Sequence, residues 1–115
     1  MEQFDLAGHL AALQSSGQAW REFLRAGALS VGVYHLKAGQ EDRQSPHSED
    51  EVYYIVAGRA RFRSDDEVCA VKPGNVLYVG RHESHRFFDI AEDLTALVFF
   101  APPEGSLNAS SATPE

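Results

Sequence analysis

A chain of 115 residues, 43% of them hydrophobic, is long enough to bury one core without disulfides or a structural metal. Its formal net charge of −7 speaks against nucleic acid and against anionic membrane surfaces as partners, since both need a basic face. The single cysteine, Cys69, excludes an intrachain disulfide. The stretch from Met1 to Leu13 lacks the basic start and long apolar run of a signal peptide, and no apolar run reaches the length of a membrane span. A cytoplasmic protein is therefore expected.

In chain order, Phe4, Leu6, Leu10 and Leu13 fall on one face at helical spacing. Residues 4 to 14 are predicted as a short amphipathic helix, ended by Ser15-Ser16-Gly17 and packed on the outside of the remaining chain. From Trp20 to Ala101 the pattern becomes short apolar or alternating runs divided by turn residues, which predicts an all-β sandwich or barrel. The runs are Ala19 to Arg25, Leu29 to Leu36, Val52 to Ala57, Arg59 to Arg63, Glu67 to Val71, Val76 to Val79, His85 to Ile90 and Thr95 to Phe100. Gly27, Gly39, Gly58, Asp65-Asp66, Pro73-Gly74, Gly80 and Glu92-Asp93 are expected to break them. Residues 39 to 46 read as a polar loop, and residues 104 to 115 as a disordered tail. The expected organisation is a helical extension (1–18), a β-barrel (19–103) and the tail.

Two clusters carry chemistry-bearing side chains: Pro46-His47-Ser48-Glu49-Asp50-Glu51 and Arg81-His82-Glu83-Ser84-His85. In an extended chain alternate residues share a side, so His47, Glu49 and Glu51 are expected on one face. His85 opens an apolar strand with Phe87 and Asp89 as its same-side partners, which points His85 inward. Two histidines and a carboxylate converging in an all-β core suggest a metal site, because buried without a cation they would leave charges or donors unpaired. Taken singly, a histidine of this kind reads first as a surface or hydrogen-bonded side chain.

The two clusters resemble the paired motifs of the cupin superfamily. In the first motif, G-x5-H-x-H-x3,4-E-x6-G, Gly39 stands at the start, Ser45 in place of the first histidine, His47 at the second, Glu51 at the glutamate and Gly58 at the close. An alternative register makes His47 the first histidine and Glu49 the substitute for the second. In the second motif, G-x5-P-x-G-x2-H-x3-N, Gly74 starts, Gly80 replaces Pro, His82 replaces Gly, His85 is the histidine and Asp89 replaces Asn. The strand–Gly–strand stretch from Tyr53 to Phe62 looks like that of small single-domain cupins. The resemblance covers roughly residues 19 to 101.

It implies an all-β fold, a double-stranded β-helix or jelly-roll barrel, with His47, Glu51 and His85 as ligands of a divalent metal (Fe, Zn, Ni or Mn). Glu49 is a candidate fourth ligand. Two histidines and one carboxylate with open positions suit non-haem Fe(II) and O₂, hence a dioxygenase-like oxidoreductase acting on a small polar molecule. A metal-dependent isomerase, a non-catalytic small-molecule sensor and a metal-free sugar-binding or epimerase-like barrel are the alternatives. His82 and Glu49 are the candidate acid–base residues and Tyr53 the candidate substrate contact. Gln44 reads as a surface residue and Cys69 as a buried thiol. The resemblance also implies a homodimer, for which outward apolar strand residues, Trp20 and the N-terminal helix offer surface.

Overall fold

The chain begins with one helix, α1 (Leu6–Ser16), in the computed structural model, which describes residues 1–44 and 46–107. Asp5 caps it: its carboxylate accepts from the Gly8 N–H at 3.2 Å. Gly17, with φ 75°, closes the other end in the left-handed conformation. The helix therefore lies two residues later than expected, since a cap at Asp5 leaves Phe4 outside. Phe4 packs instead on Phe23, with ring centroids 5.3 Å apart. Leu13 is the buried residue of α1, which docks on the outside of the first two strands as expected.

Six strands come after it: β1 (Trp20–Arg25), β2 (Ser30–Leu36), β3 (Asp50–Ser64), β4 (Glu67–Val71), β5 (Val76–Val79) and β6 (His85–Ala101). All pairings are antiparallel. Eight runs were expected; two pairs of them fuse. Gly58 does not end a strand but bends β3, and Glu92-Asp93 lies inside β6. The ladder between β3 and β6 is bulged across these positions. Burial shows what the bulges do. Along β3 the inward residues are 51, 53 and 55, then 58, 60 and 62. Along β6 they are 85 and 87, then 90, then 94, 96, 98 and 100. The inward parity changes from odd to even once in each strand, between 55 and 58 in β3 and between 87 and 90 in β6. Asp89 sits at such a switch with φ 48°, and its side chain is exposed. It is therefore not a same-side partner of His85, contrary to the simple alternation.

At Gly58 no other residue fits. Its φ is +96°, and an added Cβ would lie 2.2 Å from the backbone oxygen of Asp93. Neither the strand nor its neighbour can yield without breaking the ladder. Gly58→Ala is expected to cost at least about 2 kcal/mol in urea unfolding; a cost below about 0.5 kcal/mol would show that the bulge relaxes freely.

The first half of β3 lies between β5 and the second half of β6; its second half lies between β4 and the first half of β6. β2 flanks the second half of β6, and β1 flanks β2. The bent strands thus join two sheets. Their inner faces meet, because side chains from opposite ends of one ladder touch. Glu51 pairs in register with Phe100 and His85 with Ser64, yet the side chains of Glu51 and His85 are 3.0 Å apart. Tyr53, from the first half of β3, packs edge-on against Phe62 and Phe87 of the other layer, at 5.7 and 5.1 Å. This is a jelly-roll barrel, as expected.

Arg59, Arg61 and Arg63 point outward, as their alternation with Ala60 and Phe62 predicts. Arg61 pairs with Asp89 at 3.5 Å and lies 5.1 Å from the Phe88 ring. Exposed pairs of this kind contribute little. Cys69 departs from expectation: the thiol is exposed. β4 is an edge strand, bonded to β3 alone, and only Val71 of its five residues is buried.

Candidate metal centre

His47 arrives from the loop before β3, Glu51 is the second residue of β3, and His85 opens β6. One ligand atom from each lies within 4.8 Å of the others. Glu51 and His85 are buried at 1% and 5% exposure, and His47 is half-buried.

The turn between β5 and β6 sets His85. Glu83 binds that turn together: its carboxylate accepts from the Gly80 N–H at 3.0 Å and from the Ser64 hydroxyl. The Glu83 carbonyl then stands 2.9 Å from His85 Nδ1. A carbonyl can only accept, so Nδ1 carries the proton and the neutral ring turns the lone pair of Nε2 toward Glu51. Nε2 and Glu51 Oε1 are 3.0 Å apart, but not aligned as a hydrogen bond. Nε2 and both Glu51 oxygens are buried without a hydrogen-bond partner. Acceptors facing one another in a dry site need a proton or a cation between them. Burial works to lower the His85 pKa, but the Glu51 carboxylate and the Glu83 carbonyl outweigh it, and the pKa is raised.

Two imidazoles and a carboxylate are a donor set for Zn²⁺, Fe²⁺, Ni²⁺ or Mn²⁺. With the orphaned Glu51 and His85 atoms, the residues present fit a divalent ion. Because the ion needs the unprotonated Nε2, metal and proton compete for it. Metal affinity is expected to fall as pH is lowered through the raised His85 pKa. Zinc titrations at stepped pH check this; an affinity unchanged down to pH 5 would contradict it.

His47 is held by an edge contact with Phe100 at 4.8 Å, and its Nδ1 is 3.8 Å from Glu104 Oε2. The loop that carries it is anchored by Asp42, which the sequence did not single out. Buried at 4% exposure, Asp42 accepts four hydrogen bonds: Tyr34 hydroxyl (2.5 Å), Gln44 N–H (3.3 Å), Gln44 Nε2 (2.9 Å) and the Phe87 N–H (2.8 Å). Gln44 is accordingly half-buried and faces the interior rather than the surface. Its Oε1 accepts from the Tyr53 hydroxyl at 2.9 Å. Burial first, and then the Glu51 charge, pushes the Tyr53 phenol well above the ordinary range.

A cavity of about 170 Å³ opens over the cluster. His47, Glu51, Tyr53 and Gln44 line it, so the expected metal residues and the expected substrate contact share one space. Trp20 lines it too, its ring seated over Gly32, where an added Cβ would meet it at 2.4 Å. Trp20 therefore belongs to the cavity wall. Glu104 also lines the cavity, tied down by its N–H to the Ser30 hydroxyl (2.9 Å) and its carbonyl to Arg25 (2.7 Å). It falls in the stretch expected to be a tail, whose polar composition gives no sign of a fixed carboxylate; residues 108–115 and Ser45 lie outside the described residues.

Two candidates stand apart from the cluster. Glu49 is buried at 1% exposure; its Oε2 accepts from the Ser48 hydroxyl at 2.6 Å, and its Oε1 has no partner. It does not join the three-residue group, because the chain bends at Ser48 and Glu49 before β3 begins, so alternation does not run from 47 to 51. The His82 side chain is exposed in the β5–β6 turn, at φ 61°, while its N–H donates to the His47 carbonyl at 2.6 Å.

A barrel of this topology with an inward His-His-Glu group is the signature of a cupin. The Cupin domain family matches residues 32–101, and the chain belongs to that family. It is 43% identical to an uncharacterised protein of Streptomyces coelicolor, over 90% of this chain and 99% of that one. Among solved structures it is similar to a double-stranded β-helix protein of Klebsiella pneumoniae, with TM-score 0.74 and 18% identity, covering 89% of this chain and 90% of that one. It is also similar to an RmlC-like cupin of Shewanella frigidimarina, with TM-score 0.66 and 18% identity, covering 72% and 74%. At such identities the structural likeness speaks for the fold alone. No helix among the described residues is long and apolar enough to cross a membrane.

Proposed function

We propose that the chain is a cytoplasmic metal-dependent enzyme, a dioxygenase-like oxidoreductase whose small polar substrate enters the cavity beside His47, Glu51 and His85. The observation that carries this reading is the unpartnered state of three buried acceptors, His85 Nε2 and both oxygens of Glu51, beneath a lined cavity. A bound divalent ion supplies Lewis acidity there and, as Fe(II), the capacity to activate O₂. The residues supply the rest. Glu51 balances positive charge in a dry site, and the Glu83 carbonyl holds the His85 ring in the ligating tautomer. Tyr53 and Gln44 form a fixed polar pair against which a substrate orients. Neither acid–base candidate lines the cavity: Glu49 is buried away from it with a free Oε1, and the His82 side chain faces solvent.

Anaerobic loading with Fe(II), then oxygen uptake in the presence of a panel of small polar compounds, tests this. Uptake that needs both iron and one compound supports it. Full iron occupancy with no uptake for any compound favours the sensor reading or a metal-dependent isomerase.

We further propose a homodimer. Tyr78, Val52 and Phe99 form one row across β5, β3 and β6, and Val76, Tyr54 and Leu97 the next. Tyr54, Val76, Tyr78 and Phe99 are exposed on that outer face. Tyr78→Glu with Val76→Glu is expected to turn a dimer into a monomer in sedimentation; a wild-type monomer would refute the proposal.

A further inference from the structure

The hydrogen-bonding capacity of the cavity is weighted toward acceptors. Tyr34 and Tyr53 line it, and both hydroxyl protons are already committed, to Asp42 and to Gln44. Their oxygens keep only accepting capacity toward the cavity. Gln44 has given its oxygen to Tyr53 and one amide hydrogen to Asp42. Glu104 adds a carboxylate. Among the described residues, no lysine or arginine lines the space. The Arg25 guanidinium bonds the Glu104 backbone carbonyl at 2.7 Å and pairs with Glu22 at 2.9 Å.

Apart from Val98, the apolar wall is aromatic. The Trp20 ring meets Phe100 edge-on, with centroids 6.0 Å apart, and Tyr34 and Tyr53 complete four rings around about 170 Å³. Aromatic faces carry negative potential and attract a cation that has lost its water. An anion would face the carboxylates of Glu104 and Glu51, against which the wall sets the second Gln44 amide hydrogen and the His47 ring, itself 3.8 Å from Glu104 Oε2. A neutral apolar molecule would leave the tyrosine oxygens and Glu104 unmatched.

We infer that the cavity selects a small ligand bearing an ammonium group, held between the Glu104 carboxylate and the rings of Trp20, Tyr34 and Phe100. This specificity rests on the cavity being the ligand site of the proposed function, but it is a property of the wall and not of the metal. It assigns Glu104 a specificity role.

Trp20 is the only tryptophan of the chain, so its fluorescence reports the cavity directly. The probes are choline and 3,3-dimethylbutan-1-ol, which share a shape and differ by one positive charge. Titrations run at pH 8 on full-length protein, once stripped of metal and once zinc-loaded, with zinc per chain measured in parallel. Choline is expected to quench Trp20 with an affinity at least about tenfold above that of the alcohol. Glu104→Gln keeps the shape and removes the charge, and it is expected to erase most of that ratio while leaving the alcohol unchanged. A ratio near one, a preference for the alcohol, quenching by neither probe, or a ratio untouched in Glu104→Gln each overturns the inference. Because the ratio is read in metal-free protein as well, loss of zinc binding would refute the metal centre without touching it.

Discussion

His85→Ala is expected to abolish metal binding. The wild-type chain takes up about one zinc ion, and at a free zinc concentration of 100 Kd that binding stabilises the fold by about 2.7 kcal/mol. Without the Nε2 donor the variant has two ligands, one of them half-buried on a loop, and both the uptake and the stabilisation disappear. The substitution also leaves a void where a buried imidazole stood, which destabilises the barrel on its own account. His85→Gln, which fills more of the space, separates the two effects: it is expected to fold better than His85→Ala and still fail to gain stability from zinc. Thermal unfolding of the three proteins with and without zinc checks this. An equal zinc-induced gain in wild type and in either variant would place the metal elsewhere.

The second large effect is expected at Asp42. Its carboxylate accepts four hydrogen bonds that join the loop before β3 to Tyr34 on β2 and to the backbone of β6. Asp42→Ala strands a tyrosine hydroxyl and a strand N–H in the interior. Each unpaired buried donor costs of order 1–3 kcal/mol, so the variant is expected to lose about 3 kcal/mol or more in urea unfolding. Asp42→Asn keeps the volume and one acceptor and is expected to fall between. The loop also carries Gln44 and His47, so Asp42→Ala loosens one side of the cavity at the same time. A loss below about 1 kcal/mol would mean that water replaces the carboxylate without strain.

The histidine and glutamate ligand candidates were legible because their spacing survives in any extended chain: Glu51 and His85 sit at strand starts, where the inward face is set by the neighbouring Tyr53 and Phe87. The jelly-roll barrel and the outward arginines of β3 were legible for the same reason of alternation. Alternation fails where a strand is bulged. Gly58 and Glu92-Asp93 carry the composition of turns, and only the pairing across β3 and β6 shows that the chain runs through them. It fails again at Ser48 and Glu49, where a bend replaces the strand and separates Glu49 from the ligand group. Asp42, Gln44 and Glu104 were hidden for a different reason. Each lies in a polar stretch that reads as loop or tail, and what buries them is contact with strands distant in sequence, 45 residues away for Asp42 and Phe87 and 74 for Glu104 and Ser30. Cys69 shows the converse error, an apolar-flanked residue left exposed because β4 has a neighbour on one side only.

Anomalous diffraction from crystals grown with zinc tests the metal centre most directly. The predicted result is one strong peak per chain, enclosed by His85 Nε2, the Glu51 carboxylate and the His47 ring. A peak at Glu49 or on the surface, or none at saturating zinc, would contradict the account.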